Sequence, residues 1–437
     1  MKAHHEQLTI RGLIPSAFLP AVIFEIGNGA MAPVLALTAL RLGASPTSAG
    51  FTLSLLGIGQ ILGDVPASSL AHRVGDRRAM MLAALVAVAA QLGALTASSV
   101  AILDIALLVI GMSTAVFYLA RQAYLTEVVP TSLRARAMST LGGSHRIGLF
   151  LGPFAGALAI HAWDIHGAYI VAICASSVTA VILVLVADVP GARSAAPTRA
   201  AGLLSSRDMV RARWPLFGTL GVAVLATGAV RASRQTVIPL WAEHIGLSAA
   251  QISIIFGIAS AVDMSLFYPA GRIMDHFGRL AIAVPSMILL GTSMMTLPLS
   301  NGVVALALIA IVMSAGNGLG SGIVVTLGAD VAPVESRLRF FSIWRMMADT
   351  GNAIGPVIVS VVASLTTLAL GIVAIGAFGP LAALGMARWV PRYSPFATRR
   401  MVVRNRRDAL ASTPAHADAL PGDCAAAPPT DEMSDGT

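Results

Sequence analysis

The chain has 437 residues, 56% of them hydrophobic and only 11% charged, less than half the charged share of an ordinary soluble domain. That composition excludes a soluble multi-domain protein. The formal net charge of +8 is not a nucleic-acid footprint, because the basic residues sit in short loops and tails between apolar runs, the pattern that orients a membrane protein.

The polar start over 1–11 leads into an apolar run too long for the core of a cleaved signal peptide, so this run reads as a first membrane helix. Apolar runs of bilayer length follow at 13–40, 49–70, 79–98, 101–126, 137–161, 167–187, 215–241, 249–270, 280–299, 302–328, 340–364 and 367–390. Each is near the roughly 20 residues that a helical span requires. The sequence therefore predicts an all-α membrane protein with twelve transmembrane helices. Six fall in an N-terminal bundle over 1–187 and six in a C-terminal bundle over 215–390. A Pro/Ala/Arg-rich cytoplasmic linker over 188–214 joins them. The segment 391–437 opens with Arg399, Arg400, Arg404, Arg406 and Arg407, then turns Ala/Pro/Asp-rich, and reads as a disordered cytoplasmic tail.

Arginine sets the orientation. One set of loops holds Arg73, Arg77 and Arg78, then Arg134 and Arg136, the linker arginines, Arg272 and Arg279, then Arg337 and Arg339. The alternate loops hold Arg41 and otherwise acids, histidines and neutral residues such as Asp164, His166, Glu243 and His244. Both termini are therefore expected on the cytoplasmic side.

The two sets of six repeat. A constant offset of 203 residues pairs Gly43 with Gly246, Ser45 with Ser248, Pro66 with Pro269 and Gly75 with Gly278. The same offset pairs Glu127 with Asp330, Pro130 with Pro333, Arg134 with Arg337 and Arg136 with Arg339. It also aligns Gly148, Gly152 and Pro153 with Gly351, Gly355 and Pro356. Six is an even number of spans, so both copies enter from the same side and the repeats are parallel.

Several ionisable residues fall near the middle of predicted spans: Glu25, Arg146, Arg231, Asp263 and Asp349. A charge at mid-bilayer costs about 2.5–3.5 kcal/mol even on the lenient insertion scale, so each should face protein or water. Asn28 shares a helix face with Glu25, and Arg234 with Arg231. A carboxyl in a poorly solvated cavity holds its proton more tightly and a nearby arginine loosens it, so an Arg–Asp pair there can act as a proton-driven switch. Asp263 is the foremost such candidate; a permanent structural pair such as Asp263–Arg231 is the alternative. Arg345 and Asp349, four residues apart on one helix, are expected to neutralise each other. Arg146 has no partner on its own helix, so it either contacts an anion or pairs across helices. Asp64 is placed near Arg121, and His72 is a loop group that titrates near neutral pH.

The stretch Gly271–Arg279, with Arg272, Asp275 and Gly278, resembles the loop signature of the major facilitator superfamily between helices two and three. Its first-half copy departs, with Ser68 at the leading glycine, His72 at the acid and Asp76 after Gly75. The run Gly148-x-x-x-Gly152-Pro153-x-x-Gly156 resembles the fifth-helix pattern of the superfamily's drug/proton antiporters. The resemblance implies the major facilitator fold and a midplane binding site between halves. It also implies a cytoplasmic gating cluster of the loop acid and basic neighbours with an acid ending the fourth helix. Here those positions are His72, Arg73, Gly75, Arg77 and Glu127 in the first copy, and Gly271, Asp275, Gly278, Arg279 and Asp330 in the second. The family's fourth-helix arginine has no counterpart in this chain, where Leu107 occupies that region and Arg121 lies closer to the cytoplasmic end.

The expected function is secondary active transport by alternating access, in the form of proton-coupled export of small organic molecules or drugs. Proton-coupled uptake of a small metabolite is the alternative within transport, and a non-transporting membrane sensor or interaction protein the alternative outside it. The expected partners are a small-molecule substrate, protons and the lipid bilayer, with no nucleic acid and no metal or other cofactor. The expected form is a monomer, multi-pass in a bacterial inner membrane. No G-x-x-x-x-G-K-[ST] phosphate loop, metal-ligand spacing from Cys174, Cys424 and the histidines, or nucleophile elbow is present, so no enzyme is expected.

Overall fold

The computed structural model describes residues 14–129, 131–186, 206–333 and 337–411. The readings for most of the linker and for the tail beyond 411 lie outside the described residues. The long helices are α1 (Ile14–Arg41), α2 (Pro46–Val74), α3 (Asp76–Leu95), α4 (Val100–Val128), α5 (Thr131–Trp163) and α6 (His166–Leu185). A short linker helix, α7 (Ser206–Ala212), precedes α8 (Trp214–His244), α9 (Ala249–Phe277), α10 (Leu280–Leu299), α11 (Val303–Val331), α12 (Arg337–Leu365) and α13 (Leu368–Tyr393). The chain then forms α14 (Arg399–Ala411).

Eleven of the described helices are long and apolar enough to cross a membrane, so the chain is a multi-pass membrane protein. Among the long helices, the one not among them is α2. It has 29 residues, but Thr52, Ser54, Gln60 and Asp64 dilute its apolar run. The helix α14 corrects the expectation of disorder from 391 onward. Its sequence is too polar to read as a span, yet Val402 is buried and the helix packs back against α9.

Backbone chemistry repeats with the 203-residue offset. Ser45 and Ser248 each cap a helix start by accepting a hydrogen bond from the third residue on, and Ser248 completes a capping box with Gln251. Glycines at positive φ end the helices at matching places: Gly43 and Gly246 at +89° and +78°, Gly75 and Gly278 at +88° and +92°. Other residues occupy that region at a steric cost.

Packing repeats as well. Helix α1 lies on α5 and α6, α2 on α4, and α3 on α4 and α6; the same pairings join α8 to α12 and α13, α9 to α11, and α10 to α11 and α13. Between the two sets, α2 packs on α12, α5 on α9, and the end of α1 on α8. These cross-contacts gather toward the end that holds Arg41. An added Cβ on Gly50 would lie 2.1 Å from the Ser360 hydroxyl, on Gly57 3.3 Å from Ala353, and on Gly257 2.7 Å from the Phe154 ring. Toward the opposite end, Gly142, Gly143 and Gly271 would meet nothing within 4 Å. Among the described residues, the tight contacts between the two sets thus lie toward the Arg41 end, the closed end of the bundle.

At the closed end Asp164, in the left-handed region at φ 51°, accepts a bidentate pair from Arg41, one contact being 3.1 Å. That hydrogen-bonded guanidinium holds the Asp164 carboxyl below its ordinary value. Both side chains are half exposed, so the pair is worth no more than about 1 kcal/mol. Asp164→Asn should therefore lower the thermal midpoint slightly at neutral pH. A depressed carboxylate stabilises above its unfolded value and loses that contribution as pH falls through the folded one. Wild type and variant should begin to converge in melts run below about pH 4 and coincide only below the depressed folded value.

Candidate functional site

Two clusters of polar side chains meet inside the bundle. The first surrounds Glu25, on α1 and 1% exposed. Its Oε1 accepts a hydrogen bond from the Tyr118 hydroxyl of α4 and lies 3.2 Å from His145 Nδ1 of α5. His145 is also 3.3 Å from that hydroxyl, and Asn28 lies beside it. Arg121, one turn from Tyr118, is buried with its guanidinium carbon 5.2 Å from the Tyr118 ring centroid and 5.8 Å from that of Phe117. It interacts electrostatically with Glu25, although its Nε and Nη1 have no hydrogen-bond partner.

Glu25 sits against α5 because Gly148 lets it. A Cβ at Gly148 would lie 2.2 Å from the Glu25 Cβ, and one at Gly152 would lie 2.5 Å from the Ile26 carbonyl oxygen. Gly156 faces Ala30 in the same way, and Pro153 lies inside α5 on this run. The pattern is the contact face of α5 for α1. Its copy does the same work on α12, where Gly351 and Gly355 meet the Leu225 and Ala229 carbonyls of α8.

The second cluster surrounds Asp263 on α9. Arg146 of α5 donates to Oδ1 at 3.3 Å, with its guanidinium carbon 4.3 Å from the Phe267 ring centroid. Asn317 of α11 donates to Oδ2 at 2.8 Å, and Arg234 Nη2 of α8 stands 3.8 Å from it. Arg234 also donates to the Ser314 hydroxyl at 2.7 Å. Arg231 donates to the Gly320 carbonyl at 2.9 Å, where α11 is interrupted, and interacts with Asp263 only through space. The alternative pairing Asp263–Arg231 is thus replaced by a direct ion pair from Arg146, which joins the two sets of six helices.

Arg345 and Asp349 pair at 3.4 Å on α12 as their spacing leads one to expect. Asp349 occupies the repeat position of Arg146, and its further electrostatic neighbour is Asp64 of α2. Asp64 therefore belongs with Arg345 and Asp349, not with Arg121.

The second gating copy is assembled within its own half. Arg279 donates to Asp330 at 2.9 and 3.3 Å and to Asp275 at 3.4 Å. Ser394 adds a bond to Asp330 at 2.7 Å, the Phe396 ring lies under Arg279, and Gly278 packs tightly on Ala397 and Thr398. Asp330 is 7% exposed and Asp275 70%. Asp330 rather than Asp275 is thus the main partner of Arg279. Asp330→Asn is expected to lower the thermal midpoint by several degrees, and Asp275→Asn to leave it within about a degree, in keeping with buried versus exposed pairs. In the first copy Asp76 stands where Arg279 stands, Arg77 donates to the Leu183 carbonyl at 2.7 Å, and Arg73 is exposed. The side chains of His72 and Glu127 lie outside the described residues. Gly271 is an open position on α9.

Tyr118, His145, Arg121, Ser314 and Asn317 were not singled out as site residues. Their polarity inside apolar runs is the one signal that marks them. A cavity of about 680 Å³ at the end with the basic loops is lined by Arg207, Arg211 and Val210 of α7 with Trp214, Ile343 and Met346. It includes none of the midplane residues.

The family model described as Major Facilitator Superfamily matches residues 17–262 and 220–401, and the chain belongs to that superfamily. A segment of 168 residues, 38% of this chain, is 28% identical to the Glucose transporter GlcP of Staphylococcus epidermidis. The match spans 36% of that relative's length. Among solved structures, a peptide transporter POT aligns with TM-score 0.73 and 15% identity, over 89% of this chain and 96% of its own. A D-xylose-proton symporter aligns with TM-score 0.66 and 15% identity, over 89% and 99%. At such identities the structural likeness establishes the fold.

Proposed function

We propose that this major facilitator is a proton-coupled secondary transporter of small organic molecules, with Asp263 as its proton-binding group. The single observation that carries the reading is the Arg146–Asp263 ion pair between α5 and α9. In the proposed arrangement, twelve spans form two parallel bundles over 1–187 and 215–390, the linker over 188–214 and both termini are cytoplasmic, and the monomer sits in a bacterial plasma membrane. The end with the basic loops then faces the cytoplasm, and the tight contacts between the halves at the opposite end fit an inward-facing form. A proton on Asp263 removes the counter-ion of Arg146, weakens the link between bundles and frees guanidinium donors for substrate. Proton and substrate then favour the same form, which is the requirement for symport. Glu25, against His145 and Tyr118, is the second carboxyl placed to exchange a proton.

Export in exchange for protons is the second reading. The resemblance of Gly148–Gly156 to the antiporter pattern favours it; the matching contact at Gly351 and Gly355 gives that pattern a packing role in both halves, which sets no direction. A knockout and its complemented strain, compared for accumulation of sugars, peptides, organic acids and drugs, should differ for at least one compound class. Uniform accumulation across the panel would remove the transport reading. For topology, in a background with Cys174 and Cys424 changed to serine, cysteines at Ser99 and Asn301 should react with an impermeant thiol reagent added to intact cells. Reaction only after permeabilisation would reverse the orientation.

A further inference from the structure

The charge balance around Asp263 narrows the substrate class, an inference that rests on the transport reading. Three guanidinium groups, Arg146, Arg231 and Arg234, converge on one carboxylate, and arginine keeps its charge in proteins. Two other carboxyls inside the bundle have partners of their own: Glu25 has Tyr118 and His145, and Asp349 has Arg345. Donors remain unused as well. Arg234 has a 7% exposed side chain, holds Ser314 with one nitrogen, stands 3.8 Å from Asp263 with another, and leaves its buried Nε without a partner. Arg231 spends its bond on a backbone carbonyl. Excess positive charge with unspent donors in a poorly solvated place is unfavourable unless an anion completes it. Arg146 and Asp263 retain 18% and 16% exposure, so the cluster is reachable from the space between the bundles.

We propose that Arg146, Arg231 and Arg234 form the subsite for an acidic group on the substrate, a carboxylate, phosphate or sulfonate of a small organic molecule. Asp263 is the resident counter-ion that this group competes with. Because Arg146 comes from α5 and the other two from α8, one bound anion links both bundles.

The test uses the full chain in nanodiscs of zwitterionic lipid at fixed ionic strength, with the thermal midpoint read against benzoate, phenyl phosphate, inorganic phosphate, benzamide and benzylamine. The anions should raise the midpoint saturably, and the amide and amine should not. Arg231→Gln and Arg234→Gln should abolish the response, while Arg400→Gln, at an exposed site on α14, should keep it. Asp263→Asn removes the competitor and should lower the half-saturating anion concentration several-fold; this arm holds even if an arginine variant fails to fold. Stabilisation by benzamide equal to that by benzoate, an unchanged half-saturation in Asp263→Asn, or no anion-specific shift would overturn the proposal. So would a shift produced only by adding phosphatidylglycerol, which would make the ligand a lipid headgroup. Uptake of a neutral sugar without any anion response would sink this inference and spare the transport reading; anion binding without flux would do the reverse.

Discussion

Asp263→Asn should abolish proton-coupled substrate movement and at the same time lower the thermal midpoint of the purified protein. The amide keeps the shape of the carboxyl and can still meet Asn317, so the loss is one of charge. Arg146 and Arg234 then lose their direct ion-pair partner and Arg231 its through-space counter-ion. Removing one member of a buried pair costs about 3–5 kcal/mol, most of it the penalty of the charge left behind. Asp263 keeps 16% exposure, which places the expected cost at or below the low end of that range, on the order of 2–3 kcal/mol. The double variant Asp263→Asn/Arg146→Gln removes one orphaned charge as well, and should be more stable than Asp263→Asn alone while remaining inactive. Sums of the single effects in that cycle would mean that the two side chains do not interact. Retained coupling in Asp263→Asn would transfer the proton role to Glu25.

Gly148→Ala should have an effect of similar size with no change of charge. The added methyl would lie 2.2 Å from the Glu25 Cβ and 2.7 Å from the Val22 carbonyl oxygen, both fixed by the α1 backbone. The helices must part, and overpacking of this kind costs about 1–3 kcal/mol or more. Gly351→Ala, 2.1 Å from the Leu225 carbonyl oxygen, should lose as much. Gly142→Ala on the same helix α5 meets nothing within 4 Å and should be neutral or stabilising by up to about 1 kcal/mol through helix propensity. The check is the yield and thermal midpoint of the three purified variants. A harmless Gly351→Ala beside a damaging Gly148→Ala would restore a role specific to the first half.

Much of the fold was legible because membrane helices announce themselves by length and hydropathy, and because the repeat fixes several residues at one offset. Gly43 with Gly246 and Gly75 with Gly278 were paired by sequence, and the same four are the described glycines at positive φ. The span over α2 was read by length, although its polar residues keep it outside the clearly apolar set. The helix α14 was missed because its stability comes from docking on α9, which a polar arginine run does not reveal. Individual site residues were half legible. Charges such as Arg146 and Asp263 stand out in hydrocarbon because each needs a reason. Their pairing did not stand out, since 117 residues separate them. Tyr118 and His145 gave still less signal, for a tyrosine or histidine within a helix is unremarkable until the fold shows that both face Glu25.

The most direct measurement is the sign of proton movement in proteoliposomes. The full chain is reconstituted with a pH indicator inside, and the compound class found in the accumulation screen is added outside. Inward transport with Asp263 as the coupling group should acidify the interior as substrate enters, and Asp263→Asn should show no acidification. Substrate entry with an alkaline shift, or with no pH change at all, would contradict proton symport through Asp263.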